Sequence, residues 1–482
     1  MAMIDTYLNL SKEAFYVYKK TSNSEKSAFL EEVALQIDAI REQLIPTASK
    51  ESHLPEGRIT GELGRTLGQI RLFAKVVKEG SWIEATIDHA DPERSPLPKP
   101  DIRRMLRPLG PVLVFGASNF PLAFSTAGGD TVSALAAGCP VLYKAHPAHP
   151  ETSRMVSEAI KVAIRKSNLP KGVFQHIEGG VDIGQELASH PGIQAIAFTG
   201  SFKGGKALFD TATQRENPIP VYAEMGSVNP VFAFESKLSS EMKALAAAYV
   251  GSLTLGVGQF CTNPGLIFVP EKLATEFAEA VLDNLKEVKA GPMLHEGIGK
   301  AYYDMLKSME GAEEVQWIKK AEAEDMHLGN PTFVRIQGSD WLKDEAFQEE
   351  IFGPYGMMVT YKNSGELKEI VTALKGQLTC SIWAEDLEVE NSMDLIREIE
   401  EKCGRILFKG VPTGVEVGFA MQHGGPFPST TDSRSTSVGV HAIKRFARPV
   451  AFQDMPTQVL PAELQEENPL GIWRTVDGIW QK

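Results

Sequence analysis

The pattern of apolar and polar residues changes near residue 100. Before that point, residues 24–44 and 60–78 place apolar side chains at helical intervals between charges, which predicts amphipathic helices. Residues 91–100 are rich in proline, which interrupts both helices and sheet ladders. We therefore expect a mainly helical first segment, followed by a linker and a domain boundary at 91–100.

From residue 111 onward, short apolar runs alternate with stretches of helical spacing. The runs that predict buried strands are 112–115, 141–144, 173–177 and 195–199. The stretches that predict helices are 126–137, 152–166 and 181–189. Strands that alternate with helices form a parallel sheet with crossover helices. The sequence therefore predicts an α/β fold, in which ligands bind at the carboxyl ends of the strands.

The composition is that of a large soluble protein. Its 482 residues, 43% hydrophobic and 23% charged, suffice for two or three domains at roughly 150 residues each. The 62 acidic residues outnumber the 49 basic ones and leave a net charge of −13, which repels the phosphate backbone of nucleic acids. We therefore expect no nucleic-acid partner.

No segment has the pattern of a membrane span or an export signal. No apolar run approaches the roughly 18 residues that a membrane helix needs, and charges interrupt residues 1–30, unlike a secretory signal. The cysteines, Cys139, Cys261, Cys380 and Cys403, are scattered and form no CxxC pair, which disfavours disulfides and structural zinc. We expect a cytoplasmic protein with reduced thiols, no membrane association and no metal site.

Cys261 and Glu224 are the strongest candidates for chemistry. Cys261 lies in the sequence Gly-Gln-Phe-Cys-Thr, and Glu224 precedes it in Ala-Glu-Met-Gly. A thiolate adds to a carbonyl carbon and a carboxylate activates water, so this pair suffices for covalent chemistry on an aldehyde or acyl group. A buried, inert cysteine is the alternative interpretation, because free cysteine commonly behaves as a small hydrophobe.

Polar residues follow three of the predicted strands. Asn119, after the first, offers an amide N–H to a developing oxyanion, although asparagine is also common in turns. Lys144 ends the second strand and offers a cation to ribose hydroxyls or phosphate. Gly200 and Ser201 begin a predicted helix that contains Gly205, an arrangement suited to pyrophosphate and equally to an ordinary helix cap.

These motifs together resemble the aldehyde dehydrogenase superfamily. In chain order they are Asn119, Lys144, Gly200-Ser201, Glu224, Cys261 and the Glu-Ile-Phe-Gly-Pro sequence at 350–354. The resemblance implies a helical segment and a Rossmann-type nucleotide-binding domain at 1–226, an α/β catalytic domain at 227–431, and a C-terminal return and oligomerisation segment at 432–482. It also implies a homodimer or a homotetramer.

The resemblance implies a role for each motif residue. Cys261 corresponds to the nucleophile, Glu224 to the general base, and Asn119 to the oxyanion partner of the Cys261 backbone N–H. The residues implied to hold the cofactor are Lys144 and Glu350 at the riboses, Gly200 and Ser201 under the pyrophosphate, Phe352 near the nicotinamide and Gly205 at a close helix contact. The implied reaction forms a thiohemiacetal, transfers hydride to NAD(P) and hydrolyses a thioester. We also expect the site to favour the thiolate, through the positive ring of the bound cofactor.

Pro147 departs from the family pattern. Many members carry a glutamate three residues after the lysine, where it binds the adenosine 2′-hydroxyl, and this chain has Pro147 there. Without that carboxylate, nothing at the position repels a 2′-phosphate. The departure favours NADP and leaves NAD as a second cofactor.

His423 belongs to a second departure. The sequence Gln-His-Gly-Gly-Pro-Phe-Pro-Ser-Thr at 422–430 replaces the usual Pro-Phe-Gly-Gly signature and resembles the 2,5-dioxovalerate (α-ketoglutarate semialdehyde) dehydrogenases. That branch implies oxidation of 2,5-dioxopentanoate, a small anionic aldehyde, to 2-oxoglutarate. An NADP-dependent medium- or long-chain fatty aldehyde dehydrogenase is the alternative within the superfamily. We expect His423 itself to be a loop contact beside the active-site funnel.

A function of another class would use Cys261 and His423 together. A cysteine hydrolase needs that pair and a carboxylate but no nucleotide, so the nucleotide-binding motifs argue against it. The anionic substrate needs a cationic or amide anchor. Arg104 and Arg434 are candidates for that anchor, but the sequence places neither of them near Cys261.

Overall fold

The computed structural model describes residues 2–322 and 325–482. Its first segment is helical, as predicted, with α1 (Ala2–Tyr18), α2 (Asn23–Ala39), α3 (Arg41–Ser52) and α4 (Glu56–Glu79). The single helix expected at 24–44 is two helices, because the backbone leaves the helical region at Ile40 (φ −101°, ψ 9°). Helix α2 begins at a capping box in which the side chains of Ser22 and Glu25 accept each other's backbone N–H.

The proline-rich residues 91–100 connect two paired strands. β1 (Thr86–Asp88) and β2 (Ile102–Pro108) run antiparallel, and Asp91 pairs with Lys99 between them. Both strands belong to one sheet, so the prediction of a linker and domain boundary at 91–100 is wrong. Proline is tolerated there because a connection between strands needs few ladder donors.

Five parallel strands form the sheet that the alternating pattern predicts. They are β3 (Val112–Phe115), β4 (Val141–Lys144), β5 (Phe174–Ile177), β6 (Ala195–Thr199) and β7 (Val221–Glu224). Their order is β5-β4-β3-β6-β7, so β4 and β5 lie on one side of β3, and the chain then crosses to add β6 and β7 on the other. Such a switch point opens a crevice at the carboxyl ends of the strands. The four predicted strands are confirmed, the third beginning one residue later than expected.

Helices cover both faces of this sheet. They are α5 (Gly129–Ala137), α6 (Pro150–Lys166), α7 (Val181–Ser189) and α8 (Phe202–Thr213). Val112 and Val114 pack in one core with α5 and α6, and Leu113 packs in another with α7 and α8. Burial on both faces explains why these strands are continuous apolar runs.

A second sheet of seven strands follows. Its strands are β8 (Val231–Ala233), β9 (Leu266–Pro270), β11 (Gln316–Lys319), β13 (Thr332–Gln337), β14 (Tyr355–Tyr361), β15 (Gln377–Trp383) and β16 (Cys403–Phe408), and β10 (Gly291–Pro292) pairs separately with β12 (Leu328–Gly329). The order is β11-β13-β14-β9-β8-β15-β16, parallel except for β11. Its helices are α9 (Glu235–Thr254), α10 (Ala274–Leu285), α11 (Glu296–Ser308), α12 (Gly338–Trp341), α13 (Ser364–Ala373), α14 (Asp386–Glu390) and α15 (Met393–Glu400).

The end of the chain returns to β1 and β2. Strands β17 (Ala447–Gln453), β18 (Arg474–Val476) and β19 (Ile479–Gln481) complete a third sheet in the order β17-β2-β1-β18-β19. β19 is an exposed edge, and its Trp480 stacks on Trp473 with ring centroids 5.9 Å apart. Within the described residues, no helix is both long and apolar enough to cross a membrane.

Candidate active site

Three distant parts of the chain meet at Cys261. Glu224 ends β7, Cys261 follows α9 in a loop, and His423 lies in a segment whose Thr430 forms a bridge with Glu224. Cys261 Sγ is 3.5 Å from His423 Nε2, and that nitrogen is 2.8 Å from Glu224 Oε1. Ser437 donates a hydrogen bond to the other carboxylate oxygen of Glu224. The expectation that His423 is only a loop contact is wrong, because its side chain is fully buried between the thiol and the carboxylate.

The loop before Cys261 is built on left-handed backbone. Gly256, Val257 and Gly258 have φ values of +56°, +59° and +66°, a region that disfavours side chains, most of all β-branched ones such as valine. A Cβ on Gly258 would lie 2.2 Å from the carbonyl oxygen of Gly353. Glycine at 258 therefore lets the cysteine loop pack directly on the segment that carries Glu350.

Asn229 holds the other side of the cysteine loop. Its side-chain amide donates to the carbonyl oxygens of Cys261 and Asn263, each at 2.9 Å. Its Oδ1 accepts hydrogen bonds from Ser227 and Thr379, so the fully buried carboxamide uses both ends. Asn229 is not among the residues predicted from the sequence, although the polar Ser-Val-Asn-Pro sequence stands immediately before an apolar strand.

The surroundings of Cys261 favour a neutral thiol. Burial and the carboxylates of Glu224 and Glu350 raise the pKa of Cys261 well above its usual value, and the cation of Arg65 opposes them only in part. Burial acts to raise the pKa of Glu224 as well, but His423 and the hydrogen bonds from Ser437 and Cys261 outweigh it and lower that pKa. The protein's own groups therefore place the negative charge on Glu224, and the expectation of a thiolate, which included the positive ring of the bound cofactor, stays a prediction.

His423 presents one ring nitrogen to both partners. Nε2 faces Cys261 and Glu224, while Nδ1 is buried without a partner among the described residues. The approach to Glu224 is an electrostatic contact and not a directed hydrogen bond, since Oε1 of Glu224 also has no hydrogen-bond partner among the described residues. In Cys–His–Asp hydrolases the nucleophile and the carboxylate face opposite ring nitrogens, so the geometry disfavours a hydrolase.

Asn119 lies beside the cysteine loop, after β3. Its side-chain amide donates to the carbonyl oxygen of Gln259 at 3.1 Å, two residues before Cys261. The amide is therefore close to the nucleophile but engaged with the backbone. Its assignment to an oxyanion hole stays a prediction.

The residues predicted to hold the nucleotide gather around the crevice of the five-stranded sheet. Lys144 is buried at the end of β4 and donates to the carbonyl oxygen of Ala145. Ser201 caps α8 by accepting a hydrogen bond from the backbone N–H of Gly204. A Cβ on Gly205 would lie 2.6 Å from the side chain of Met225, which explains a close helix-to-strand contact. A helix N-terminus at a switch point fits a pyrophosphate group.

Glu350 lies against Gly226, just beyond the end of β7. A Cβ on Gly226 would lie 2.5 Å from its Oε2, so glycine makes room for the carboxylate. Burial raises the pKa of Glu350 to about 8, although a hydrogen bond from the Ser227 backbone opposes the shift. The side chain keeps partial solvent access and forms no ion pair within the described residues, and a carboxyl group accepts hydrogen bonds from hydroxyls such as those of ribose. Phe352 follows two residues later and is partly buried against the nucleotide-domain core.

Similarity to known proteins agrees with this geometry. The model of the aldehyde dehydrogenase family matches residues 2–448, and the chain belongs to that family. Alpha-ketoglutaric semialdehyde dehydrogenase 2 of Azospirillum brasilense is 46% identical over 482 residues, covering 99% of this chain and 91% of the relative. Alpha-ketoglutaric semialdehyde dehydrogenase of Acinetobacter baylyi is 42% identical over 479 residues, with the same coverage of both chains.

Solved structures show the same fold. A 3,6-anhydro-L-galactose dehydrogenase in complex with NAP superposes with a TM-score of 0.79 at 20% identity, covering 94% of this chain and 91% of that one. The glyceraldehyde-3-phosphate dehydrogenase GapN of Methanocaldococcus jannaschii, complexed with NADP, gives a TM-score of 0.78 at 20% identity and 94% coverage of both. Family and close relatives together define the chain as an NAD(P)-dependent aldehyde dehydrogenase.

Proposed function

We propose that this enzyme oxidises 2,5-dioxopentanoate to 2-oxoglutarate and prefers NADP to NAD. The observation that carries the proposal is the meeting of Cys261, Glu224 and His423 beside the crevice that fits a nucleotide. The names of the Azospirillum and Acinetobacter relatives support the substrate. Pro147 is exposed between β4 and α6, so no carboxylate at that position repels a 2′-phosphate.

Cys261 begins the reaction. Its neutral thiol gives its proton to the ionised Glu224 while the sulfur attacks the aldehyde carbon, and a new S–C bond forms a thiohemiacetal. The Nε2–H of His423 stabilises the charge that develops on sulfur. The backbone N–H of Cys261 and the amide of Asn119 stabilise the oxyanion, once Asn119 releases Gln259. NAD(P), when bound, supplies the acceptor for the hydride that leaves this carbon.

Glu224 completes the reaction. After losing its proton to solvent, the carboxylate takes a proton from water while the water oxygen attacks the thioester carbon. The C–S bond breaks, the carboxylic acid forms and the sulfur of Cys261 regains a proton. Ser437 holds Glu224 throughout by its hydrogen bond to the second oxygen, which keeps the other oxygen directed towards the reacting atoms.

The assembly and location follow from the same resemblance. We propose a cytoplasmic homodimer or homotetramer, with domains at 1–226, 227–431 and 432–482. The exposed β19 supports an oligomer, because an unpaired apolar edge favours pairing with another chain. Ile479 and Trp480 on that edge are 65% and 57% exposed, so their burial in an assembly would remove a large apolar surface from water.

The test is reduction of NADP and NAD by the purified enzyme with three aldehydes. These are 2,5-dioxopentanoate, succinic semialdehyde and a long-chain aldehyde. We expect the highest kcat/KM with 2,5-dioxopentanoate and NADP, and no turnover by Cys261→Ala, which should still bind nucleotide. Preference for the long-chain aldehyde would overturn the proposed substrate assignment, and preference for NAD would overturn the proposed cofactor assignment. Full turnover by Cys261→Ala would remove the nucleophile assignment.

A further inference from the structure

Neither arginine suggested by the sequence lies at the active site. Arg434 is 88% exposed and pairs with Asp432 through a hydrogen bond of 2.9 Å. Arg104 is exposed on β2, opposite Ala451 and Thr86 in the third sheet. The carboxylate of an anionic substrate therefore needs another partner.

Arg65, on α4, has hydrogen-bonding capacity that the protein does not use. Its Nε and Nη2 donate to the single carbonyl oxygen of Val415, at 3.4 and 3.3 Å. Its Nη1 is buried and has no partner among the described residues. Within the same residues no carboxylate forms an ion pair with it, whereas Arg58, two turns earlier, pairs with the buried Glu62 at 2.5 Å. An unmet buried donor is costly, so Arg65 suits an external anion.

The guanidinium of Arg65 lies next to the reaction centre. It sits 5.2 Å from the ring centroid of Phe124, and that ring is 6.5 Å from the imidazole of His423. Its charge interacts with Glu62 and also with Cys261 and Glu224. Arg65 also lines a groove with Gly68, Leu72, Val415 and Val417 that opens to solvent. Arg65 thus contacts both the open groove and the ring that lies beside His423.

We propose that Arg65 binds the terminal carboxylate of the aldehyde substrate and thereby selects anionic aldehydes. This inference rests on the proposed function. The planar guanidinium matches a carboxylate in two parallel hydrogen bonds. An extended five-carbon chain separates its end carbons by about 5 Å, judged from the reach of an extended backbone. A substrate whose aldehyde carbon is attacked by Cys261 therefore carries its carboxylate about 5 Å away from that carbon.

Arg405, on β16, is the competing candidate. Among the described residues its Nε and Nη2 are also buried without partners, and its Nη1 contacts the sulfur of Met421 at 3.7 Å. Its charge also acts on Cys261. However, the groove that opens to solvent is lined by Arg65 and not by Arg405. We therefore assign the carboxylate to Arg65 and use Arg405 as a comparison in the test.

The experiment compares paired aldehydes that differ only in charge. Succinic semialdehyde and 2,5-dioxopentanoate are anions, and butanal and 4-oxopentanal replace the carboxylate of each with a methyl group. In Arg65→Met we expect kcat/KM to fall about 30- to 1000-fold for the anions, mostly through KM, as when one partner of a desolvated charge pair is removed. The neutral aldehydes should change less than about threefold. Arg65→Lys should recover part of the loss, since it keeps the charge but not the fork.

Arg71→Met is the matched control, because Arg71 lies on the same helix and lines the same groove but is 40% exposed. Arg71→Met should leave kcat/KM unchanged for both pairs of aldehydes. Equal losses for anions and neutral aldehydes in Arg65→Met, or no loss for either, would overturn the proposal. Loss in Arg405→Met alone would move the site to Arg405. If the wild type does not prefer anions, the proposed substrate itself fails, a result visible before any variant is made.

Discussion

Glu350→Gln tests whether the buried carboxylate in the nucleotide crevice destabilises the protein at neutral and alkaline pH. The pKa of Glu350 is raised from 4.5 to about 8, because burial favours its protonated form. Below the unfolded pKa, the group is protonated in both states and imposes no cost. As pH rises, the carboxyl group of Glu350 ionises first in the unfolded chain. The folded state therefore loses stability progressively until the pH reaches the folded-state pKa. Glutamine has the same shape but never ionises.

The expected magnitude follows from the two pKa values. One pKa unit corresponds to about 1.4 kcal/mol, so the full difference sets an upper limit of about 5 kcal/mol above the folded pKa. Glu350 keeps partial solvent access, which reduces the effect. We therefore expect the free energy of unfolding of Glu350→Gln to exceed that of the wild type by about 2–4 kcal/mol near pH 9. Near pH 5 the difference should be much smaller.

Denaturant unfolding without nucleotide, measured across that pH range, provides the assay. The quantity to compare is the free energy of unfolding of the variant minus that of the wild type. Glu349→Gln is the matched control, because its side chain is exposed and its difference should stay flat. A difference for Glu350→Gln that is also flat, or that falls as pH rises, would refute the inferred burial of an ionisable acid. Glu350→Gln should also bind NADP more weakly than the wild type does, because an amide accepts fewer hydrogen bonds from ribose than a carboxylate.

Three further substitutions test the site. Asn229→Ala should lower the free energy of unfolding by about 3 kcal/mol, because the carbonyl oxygens of Cys261 and Asn263 lose their buried hydrogen-bond donor. Thermal unfolding measures this loss, and a value under about 1 kcal/mol would contradict the prediction. His423→Asn should retain more dehydrogenase activity than His423→Ala, because asparagine keeps an N–H donor. Equal losses of activity in the two variants would instead indicate that the ring acts as a base. Pro147→Glu should shift the ratio of kcat/KM with NAD to kcat/KM with NADP about tenfold towards NAD, because the new carboxylate gains about one hydrogen bond to the 2′-hydroxyl. An unchanged ratio would contradict the explanation of cofactor choice.

Local sequence was enough to predict the nucleotide-binding sheet. The runs 112–115, 141–144 and 195–199 are strands with the predicted bounds, because strands buried on both faces must be apolar throughout. The positions of Asn119, Lys144 and Ser201 at strand ends follow from that alternation, since the carboxyl ends of parallel strands share one edge. The prolines at 91–100 do not distinguish a linker from a connection between paired strands, because proline suits both.

Tertiary structure decided the chemistry within the site. Cys261 and His423 are 162 positions apart in the chain, and no local pattern encodes which imidazole nitrogen faces the sulfur. The raised pKa of the thiol likewise depends on burial and on carboxylates from other segments, which the residue type alone does not encode. Periodicity reports the side of an element that is buried. Charge interactions depend on distances in space, and only the folded chain brings Glu224, Arg65 and Cys261 together.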